Sequence, residues 1–327
     1  MKRCSSYNSG GRLGGKKSPT EELNGGASGR ESDLCLLYLD QLKCSPRHFP
    51  DALSYPTSCD LMEEDSGTQF SMVQHFNDWQ PPGVQRCLAA SSRNFVGLME
   101  DGLTVLKYPH CMSDNAMESL REEAYRYHCL GVHDNLVALK AVRPDGLLFE
   151  YCERGDLHAV MNGPIPLSDE EKTSIGEQIV HGLAHLHALN YIHCDINVNN
   201  IFLTSGMTAK IGDIQGQLYW PDGTIRMLTM SEENPKSRHP DAGEDEFSRR
   251  TDIFALGTLL YHLWHGKPPF PDLDEYTQGE LIRAKFRRGE YPVDAQRATG
   301  ICEIVLKCWT SAYSDVNEIL ADMAKNA

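Results

Sequence analysis

A polar loop held between two apolar segments, YIHCDINVNNIFL at residues 191–203, constrains the fold of this chain more than any other stretch. The apolar residues on both sides anchor the loop in a core, so its polar groups can point rigidly into a cleft. Asp195 and Asn200 lie five residues apart in this loop, and Asp213 ends the short strand-like segment AKIGD that follows. An acid that accepts a proton, with an asparagine and a second acid that ligate a hard cation, can form a phosphate site that binds Mg²⁺.

Before this loop, the sequence has the pattern of strands around one helix. FVGLME and LTVLKYP predict two strands joined by the turn EDG, and NLVALKAV and GLLFEYC predict two more around the turn RPDG. Between the two pairs, one apolar face repeats with helical spacing, and Gly131 can cap the end of the helix. The residues of this face are Met117, Leu120, Ala124, Tyr127 and Leu130.

The second half of the chain is mostly helical in pattern. Ser168 is a predicted N-cap, with Glu171 at the capping-box position of the helix that it opens. The segment RRTDIFALGTLLYHLWHG predicts a strongly apolar helix that ends at Gly266. A strand-rich part followed by a helix-rich part predicts an α+β protein with two lobes. We place the strand-rich lobe at residues 84–149 and the helical lobe at residues 150–327.

The start of the chain predicts a largely disordered extension over residues 1–83. About the first 30 of these residues are rich in Gly, Ser and Lys, and the rest hold sparse apolar residues among Pro, Ser, Asp and Asn. The start lacks the apolar core of a secretory signal, and the 11 cysteines form no CxxC pair. These features predict an intracellular, cytoplasmic protein with free thiols.

The charge of the chain restricts its partners. A net charge of -15 argues against a nucleic-acid partner and against an anionic membrane, because phosphates would repel it. No apolar run reaches the roughly 18 residues of a membrane-spanning helix, so no membrane partner is expected either. The oligomeric state stays open.

Several motifs, in the same order along the chain, resemble those of the eukaryotic protein kinase family. HCDINVNN resembles H-R-D-x-x-x-x-N, DIQ before Gly216 resembles D-F-G, and TVLK ending at Lys107 resembles V-A-I-K. Glu123 follows at a spacing close to that of the family, LLFEYCERGDL resembles the fifth strand and hinge, and TDIFALGTLLYHLWHGKPPF resembles the long buried helix. The resemblance covers residues 84–323 and implies the bilobal fold of a divergent, serine/threonine-kinase-like member.

The resemblance also implies a role for each matching residue in transferring the γ-phosphoryl group of ATP. Asp195 would accept or orient the proton of the substrate hydroxyl, while Asn200 and Asp213 would hold Mg²⁺. Lys107 would grip the α- and β-phosphates, and Glu123 would fix its side chain. The implied catalytic residues are therefore Asp195, Lys107, Glu123 and Asn200, and the implied metal ligands are Asn200 and Asp213.

Further residues are assigned to nucleotide binding and to support of the loop by the same resemblance. The backbone of Glu150 and Cys152 would bind adenine, and Ala89 and Val96 lie in the segment that corresponds to the phosphate loop. Asp252, near the start of the long apolar helix, would clamp the backbone of the catalytic loop.

The phosphate loop departs from the family's G-x-G-x-x-G-x-V pattern. Here the segment reads AASSRNFV, which places Ala89, Ser91 and Asn94 at the glycine positions. Glycines at these positions let backbone amides approach phosphate closely. We therefore expect ATP binding to be weaker than in a chain that has the glycines.

Other departures lie around the catalytic acid and downstream of it. Cys194 replaces the arginine that pairs with a phosphate on the activation segment, so we expect no switching of that kind. Asn197 replaces a lysine, which removes a cation from beside the transferred group and a marker of Ser/Thr specificity. Gln215 replaces the signature glycine and restricts the backbone there. Asp241 replaces the glutamate of A-P-E, and no arginine follows KCW to supply its usual ion-pair partner.

Three functions fit this pattern. The first is a protein kinase that phosphorylates the hydroxyl of Ser or Thr on an unidentified protein substrate, with ATP and Mg²⁺ as cofactors. The second is a pseudokinase that binds nucleotide or acts as a scaffold, which the altered phosphate loop, Asn197 and Gln215 favour. The third is a small-molecule phosphotransferase. Because Lys107 and the other matching residues named above are all retained, we favour the first function.

Overall fold

The computed structural model describes residues 80–294 and 298–326. These residues all belong to one compact unit of the chain. The extension predicted over residues 1–83 lies outside the described residues, except for residues 80–83.

A five-stranded antiparallel sheet forms the first lobe, with the strand order β1-β2-β3-β5-β4. The predicted hairpins are confirmed, and the first closes tightly because Asp101 Oδ1 accepts the backbone amides of Leu103 and Thr104 at 2.8 and 2.9 Å. The strands are β1 (Val84–Ala90), β2 (Asn94–Met99), β3 (Thr104–Pro109), β4 (Leu139–Arg143) and β5 (Gly146–Glu150).

One helix, α1 (Asp114–Leu130), packs against this sheet. Ser113 caps its start by accepting the amide of Ala116, and the predicted cap Gly131 ends it with a φ of 66°. The predicted apolar face is confirmed as buried, apart from Met117, which is half-buried. Two charged residues of the same helix are also buried, Glu123 and Arg126.

The second lobe is mostly helical. Its helices are α2 (Leu157–Met161), α3 (Asp169–Ala188), α4 (Arg249–His265), α5 (Gly279–Arg287), α6 (Ile301–Trp309) and α7 (Val316–Asn326). The predicted capping box of α3 is confirmed, because Ser168 and Glu171 exchange side-chain to backbone hydrogen bonds. The long apolar helix α4 lies in the core, and it ends as predicted at Gly266 in the left-handed conformation.

Six short strands flank the loop that contains Asp195 and the segment that contains Asp213. They are β6 (Gly155–Asp156), β7 (Tyr191–Ile192), β8 (Ile201–Leu203), β9 (Ala209–Ile211), β10 (Gln217–Tyr219) and β11 (Ile225–Met227). They form two three-stranded sheets, with the orders β6-β8-β9 and β11-β10-β7. The architecture is the expected α+β bilobal one. No helix in the described ranges combines the length and the apolar character that a membrane span requires.

Candidate active site

The start of the loop between β7 and β8 is held by a single buried carboxylate. Asp252 at the start of α4 is 0% exposed, and its two oxygens accept the backbone amides of His193 and Cys194 at 2.8 and 3.0 Å. The ring Nε2 of His187 on α3 is 2.9 Å from the same carboxylate. The predicted clamp is therefore confirmed, and it ties the loop to two core helices.

Asp195 is held by two side-chain amides of its own loop. Asn197 donates to its Oδ1 at 2.7 Å, and Asn200 donates to its Oδ2 at 2.9 Å. Burial raises the pKa of Asp195, while His193 and the two amides oppose this shift. The oxygen of Asn197 accepts the amide of Asn199, which fixes the side chain. Asn197 thus supplies a donor to the acid at the position where we noted only the loss of a cation.

A lysine and two acids from three different elements meet in a second group of side chains. Lys107 Nζ, from β3, is 3.0 and 2.7 Å from the two oxygens of Glu123 on α1, and 2.8 Å from Asp213 Oδ1. Burial alone would lower the pKa of Lys107, but the two carboxylates outweigh it and hold the pKa above its ordinary value. Burial raises the pKa of Glu123. Burial would also raise that of Asp213, but Lys107 outweighs this and lowers it. The three predicted residues are thus brought together as one charged cluster.

The segment after β5 connects the two lobes. Glu150 is fixed at both its backbone and its side chain, because its amide donates to the carbonyl of Ala138 and its Oε1 accepts the Ala138 amide at 2.7 Å. Lys210 lies 2.9 Å from the same carboxylate. Cys152 is buried, which raises the pKa of its thiol to about 12. Its carbonyl accepts the Gly155 amide, and in the described ranges its own amide makes no hydrogen bond.

The sequence of the chain matches the model of a known family. The model of the family "Protein tyrosine and serine/threonine kinase" matches residues 100–318, which is more than half of the chain. The chain belongs to the protein kinase family.

Among its relatives, the serine/threonine-protein kinase PLK4 of Drosophila virilis is 32% identical over 146 residues, which make up 43% of this chain and 18% of that protein. PLK4 of Drosophila ananassae is 35% identical over 145 residues, with the same coverage. The putative tyrosine-protein kinase F09A5.2 of Caenorhabditis elegans is 29% identical over 194 residues, 52% of this chain and 21% of that protein. The matched part therefore spans about a fifth of the length of these relatives.

The segment that aligns with the family's phosphate loop is a closed turn between β1 and β2. Ser91 Oγ accepts the amides of Arg93 and Asn94 at 3.4 and 3.1 Å, and the Ser91 amide donates to the Asn94 carbonyl at 2.8 Å. These two amides therefore donate to Ser91 within the turn, and the turn closes without a glycine. Ala89 faces Val96 across the hairpin, and Val96 in turn faces Lys107 on β3. Ala89 on β1 and Val96 on β2 thus lie in register with Lys107 on β3.

The hydrogen bonds of two side chains, those of Gln215 and Arg126, were not predicted from the sequence. Gln215 donates from its side-chain amide to Asp213 Oδ1 at 2.9 Å and to Glu123 Oε2 at 3.3 Å. Arg126 of α1, which is 0% exposed, donates to the carbonyls of Gly216 and Leu228. No sequence pattern indicated the contacts with Glu123, Gly216 and Leu228, because each joins residues 90 or more positions apart.

Gly216 supplies the glycine of this segment one position later than D-F-G does. A Cβ at this residue would lie 2.1 Å from the carbonyl oxygen of Ile192 and 2.5 Å from that of His193, so only glycine fits without a backbone shift. Its amide donates to the hydroxyl of Tyr191 at 2.6 Å. The segment after Asp213 therefore has its glycine where the backbone passes close to Ile192 and His193.

The segment from Glu233 to Asp241 is anchored by two arginines. Arg238 donates to Glu233 Oε2 at 3.1 Å, and both side chains are buried. No arginine follows KCW, as expected, but Arg287 on α5 approaches Asp241 at 3.5 Å and donates to the carbonyl of Pro240. The partner of Asp241 therefore comes from a different helix than in the family pattern.

Proposed function

We propose that this protein is an active protein kinase that transfers the γ-phosphoryl group of ATP to a Ser or Thr hydroxyl of a protein substrate. The carrying observation is that Lys107, Glu123 and Asp213 form one ion-paired cluster, while Asp195 and Asn200 are hydrogen-bonded to each other within the loop between β7 and β8. A chain released from catalysis has no need to keep all five side chains in these contacts. The similarity to serine/threonine kinases supports the choice of acceptor.

The residues present fit a divalent cation. In the described ranges, Asp213 Oδ2 and Asn200 Oδ1 accept no hydrogen bond, whereas the other polar atom of each side chain is engaged. Asp213 is 34% exposed and can therefore reach a ligand in the cleft. These two oxygens would hold Mg²⁺, and the ion would neutralise charge on the phosphates.

The remaining roles belong to this chain's own side chains. Lys107, held by Glu123, would bind the α- and β-phosphates, and Asp195 would accept the proton of the substrate hydroxyl. Because both oxygens of Asp195 already accept amides, its orientation is set before the substrate arrives. Glu150 and Cys152 would receive adenine through their backbone. The described cysteines are all unpaired and the net charge is -15, which supports a reducing intracellular site of action and a protein rather than a nucleic-acid substrate.

Transfer of labelled γ-phosphate from Mg-ATP to a generic protein substrate tests the proposal. The Asp195→Ala variant should lose about two to four orders of magnitude in rate, since it lacks the proton acceptor. Asp195→Asn is the isosteric companion, but its amide must face the donor of either Asn197 or Asn200, so it should also disturb the loop. Phosphoamino-acid analysis identifies the acceptor. Undiminished transfer in Asp195→Ala would refute the assignment, and phosphotyrosine alone would refute the choice of Ser or Thr.

A nucleotide-binding pseudokinase is the second candidate, and one observation favours it. The amides of Arg93 and Asn94 are taken up by Ser91, so the phosphate loop offers fewer donors than in the family pattern. If the wild type transfers no phosphate while Mg-ATP still raises its melting temperature, this second function is the correct one.

A further inference from the structure

The side chain of Gln215 joins two parts of the site that belong to different lobes. Its amide nitrogen contacts Asp213 Oδ1 at 2.9 Å and Glu123 Oε2 at 3.3 Å, and it is half-buried. The family pattern has glycine here, which has no side chain to make either contact. Gln215 is therefore an added link between α1 and the segment that carries Asp213.

The side chain of Gln215 makes its contacts in a cluster that holds two acids and one lysine. Two carboxyl groups, those of Glu123 and Asp213, share the one ammonium group of Lys107, so the cluster holds more acids than cations. Hydrogen bonds to ionised groups are about twice as strong as neutral ones. An uncharged amide that donates to both acids stabilises them next to each other, and adds no second cation to compete with the lysine.

The link also fixes the direction of Asp213. This residue has a φ of 53°, in the left-handed region that costs energy for a residue with a side chain. Its Oδ1 accepts from both Lys107 and Gln215, at 2.8 and 2.9 Å, so two donors on one oxygen determine where the other oxygen points. Arg126 adds a third tie by donating to the carbonyl of Gly216 at 2.9 Å.

We propose that Gln215 is a positioning residue that locks α1 and Asp213 into the arrangement that binds the metal, before any nucleotide is present. This inference rests on the proposed function only for its metal. The lock itself is a property of the ligand-free chain and can be measured there.

Hydrogen exchange of the ligand-free protein tests the lock. Gln215→Met keeps the length of the side chain and removes both donated hydrogen bonds, whereas Gln215→Gly restores the family residue and also frees the backbone. Two hydrogen bonds to charged acceptors correspond to roughly a tenfold or greater rise in the exchange of the amides of residues 214–217. We expect the rise in the order Gly above Met, with Met above the wild type.

Gln278→Met is the matched control. Gln278 makes its side-chain hydrogen bond to the amide of Asp274, in a turn before α5, and does not contact the site. Its variant should leave the exchange of residues 214–217 as in the wild type. If Gln215→Met and Gln215→Gly both fold and exchange there at the wild-type rate, the proposal is overturned. Should Gln215→Met not fold, Gln215→Ala takes its place, because alanine also lacks both donors and does not free the backbone as glycine does.

Binding of ADP, measured by calorimetry with and without Mg²⁺, separates positioning from a purely structural role. A positioning role predicts that the gain in affinity from Mg²⁺ falls several-fold in both Gln215 variants, beyond any loss in the binding of metal-free ADP. Equal losses with and without Mg²⁺ would overturn the proposal. Neither assay needs phosphate transfer, so a wild type that transfers none refutes the proposed function and leaves this test standing.

Discussion

Removal of the carboxylate of Asp252 should destabilise the whole fold, because three donors depend on it. The backbone amides of His193 and Cys194 and the ring nitrogen of His187 all lie 2.8–3.0 Å from its oxygens, and the residue is 0% exposed. A buried donor left without an acceptor costs about 1–3 kcal/mol. The two amides and the imidazole together therefore predict a loss of about 3–9 kcal/mol in Asp252→Ala.

This loss is large against the 5–15 kcal/mol that stabilise a typical domain. Urea unfolding at 25 °C, followed by tryptophan fluorescence, measures it, since Trp309 is buried and donates to Thr258 of α4. Asp252→Asn should lose less than Asp252→Ala, because one oxygen remains as an acceptor. The midpoint should shift without a change in the dependence of the unfolding free energy on urea.

The control for this experiment is Asp272→Ala. Asp272 is exposed, so its removal should change the unfolding free energy by no more than about 0.5 kcal/mol. A loss below about 1 kcal/mol in Asp252→Ala, or one equal to that of Asp272→Ala, would show that the loop is held by something other than this carboxylate.

Two further predictions concern the activation segment. Burial raises the pKa of Glu233 to about 8, against the opposing effect of Arg238, so its protonated form is favoured in the fold. The wild-type unfolding free energy should therefore fall, relative to that of Glu233→Gln, as the pH rises from about 4.5 to about 8, by at most about 1.4 kcal/mol per pH unit. Parallel pH profiles of the two proteins would contradict this. Gly216→Ala should lower the melting temperature sharply, because its Cβ would lie 2.1 Å from the Ile192 carbonyl oxygen; calorimetry that finds no shift would show that the backbone yields.

The order of the elements could be predicted because each is specified locally. The apolar spacing of α1, the capping box at Ser168 and the turns between strands depend on residues a few positions apart. The same holds for the loop that carries Asp195, whose apolar flanks are β7 and β8. Local rules were therefore enough for the two hairpins, for α1, α3 and α4, and for the bilobal architecture.

The contacts that distinguish this chain could not be predicted in the same way. From the sequence, Gln215 was interpreted only as the loss of a glycine, because its partner Glu123 lies on a distant helix. Asp241 was interpreted as an acid without its usual partner, because Arg287 also comes from a distant helix. Asn197 read as a lost cation, although its amide serves Asp195. A substitution shows what has been removed, whereas only the three-dimensional packing shows which group has taken over the contact.

The contacts of Arg126 have a consequence for how this kinase domain can change in evolution. The arginine holds both ends of the hairpin formed by β10 and β11 through the carbonyls of Gly216 and Leu228, and every residue type carries a carbonyl. Side chains between these ends, such as the exposed Trp220 and Ile225, can be exchanged without loosening the anchor. The hairpin can therefore diversify as a surface for new protein contacts while the residues beside Asp213 stay in place.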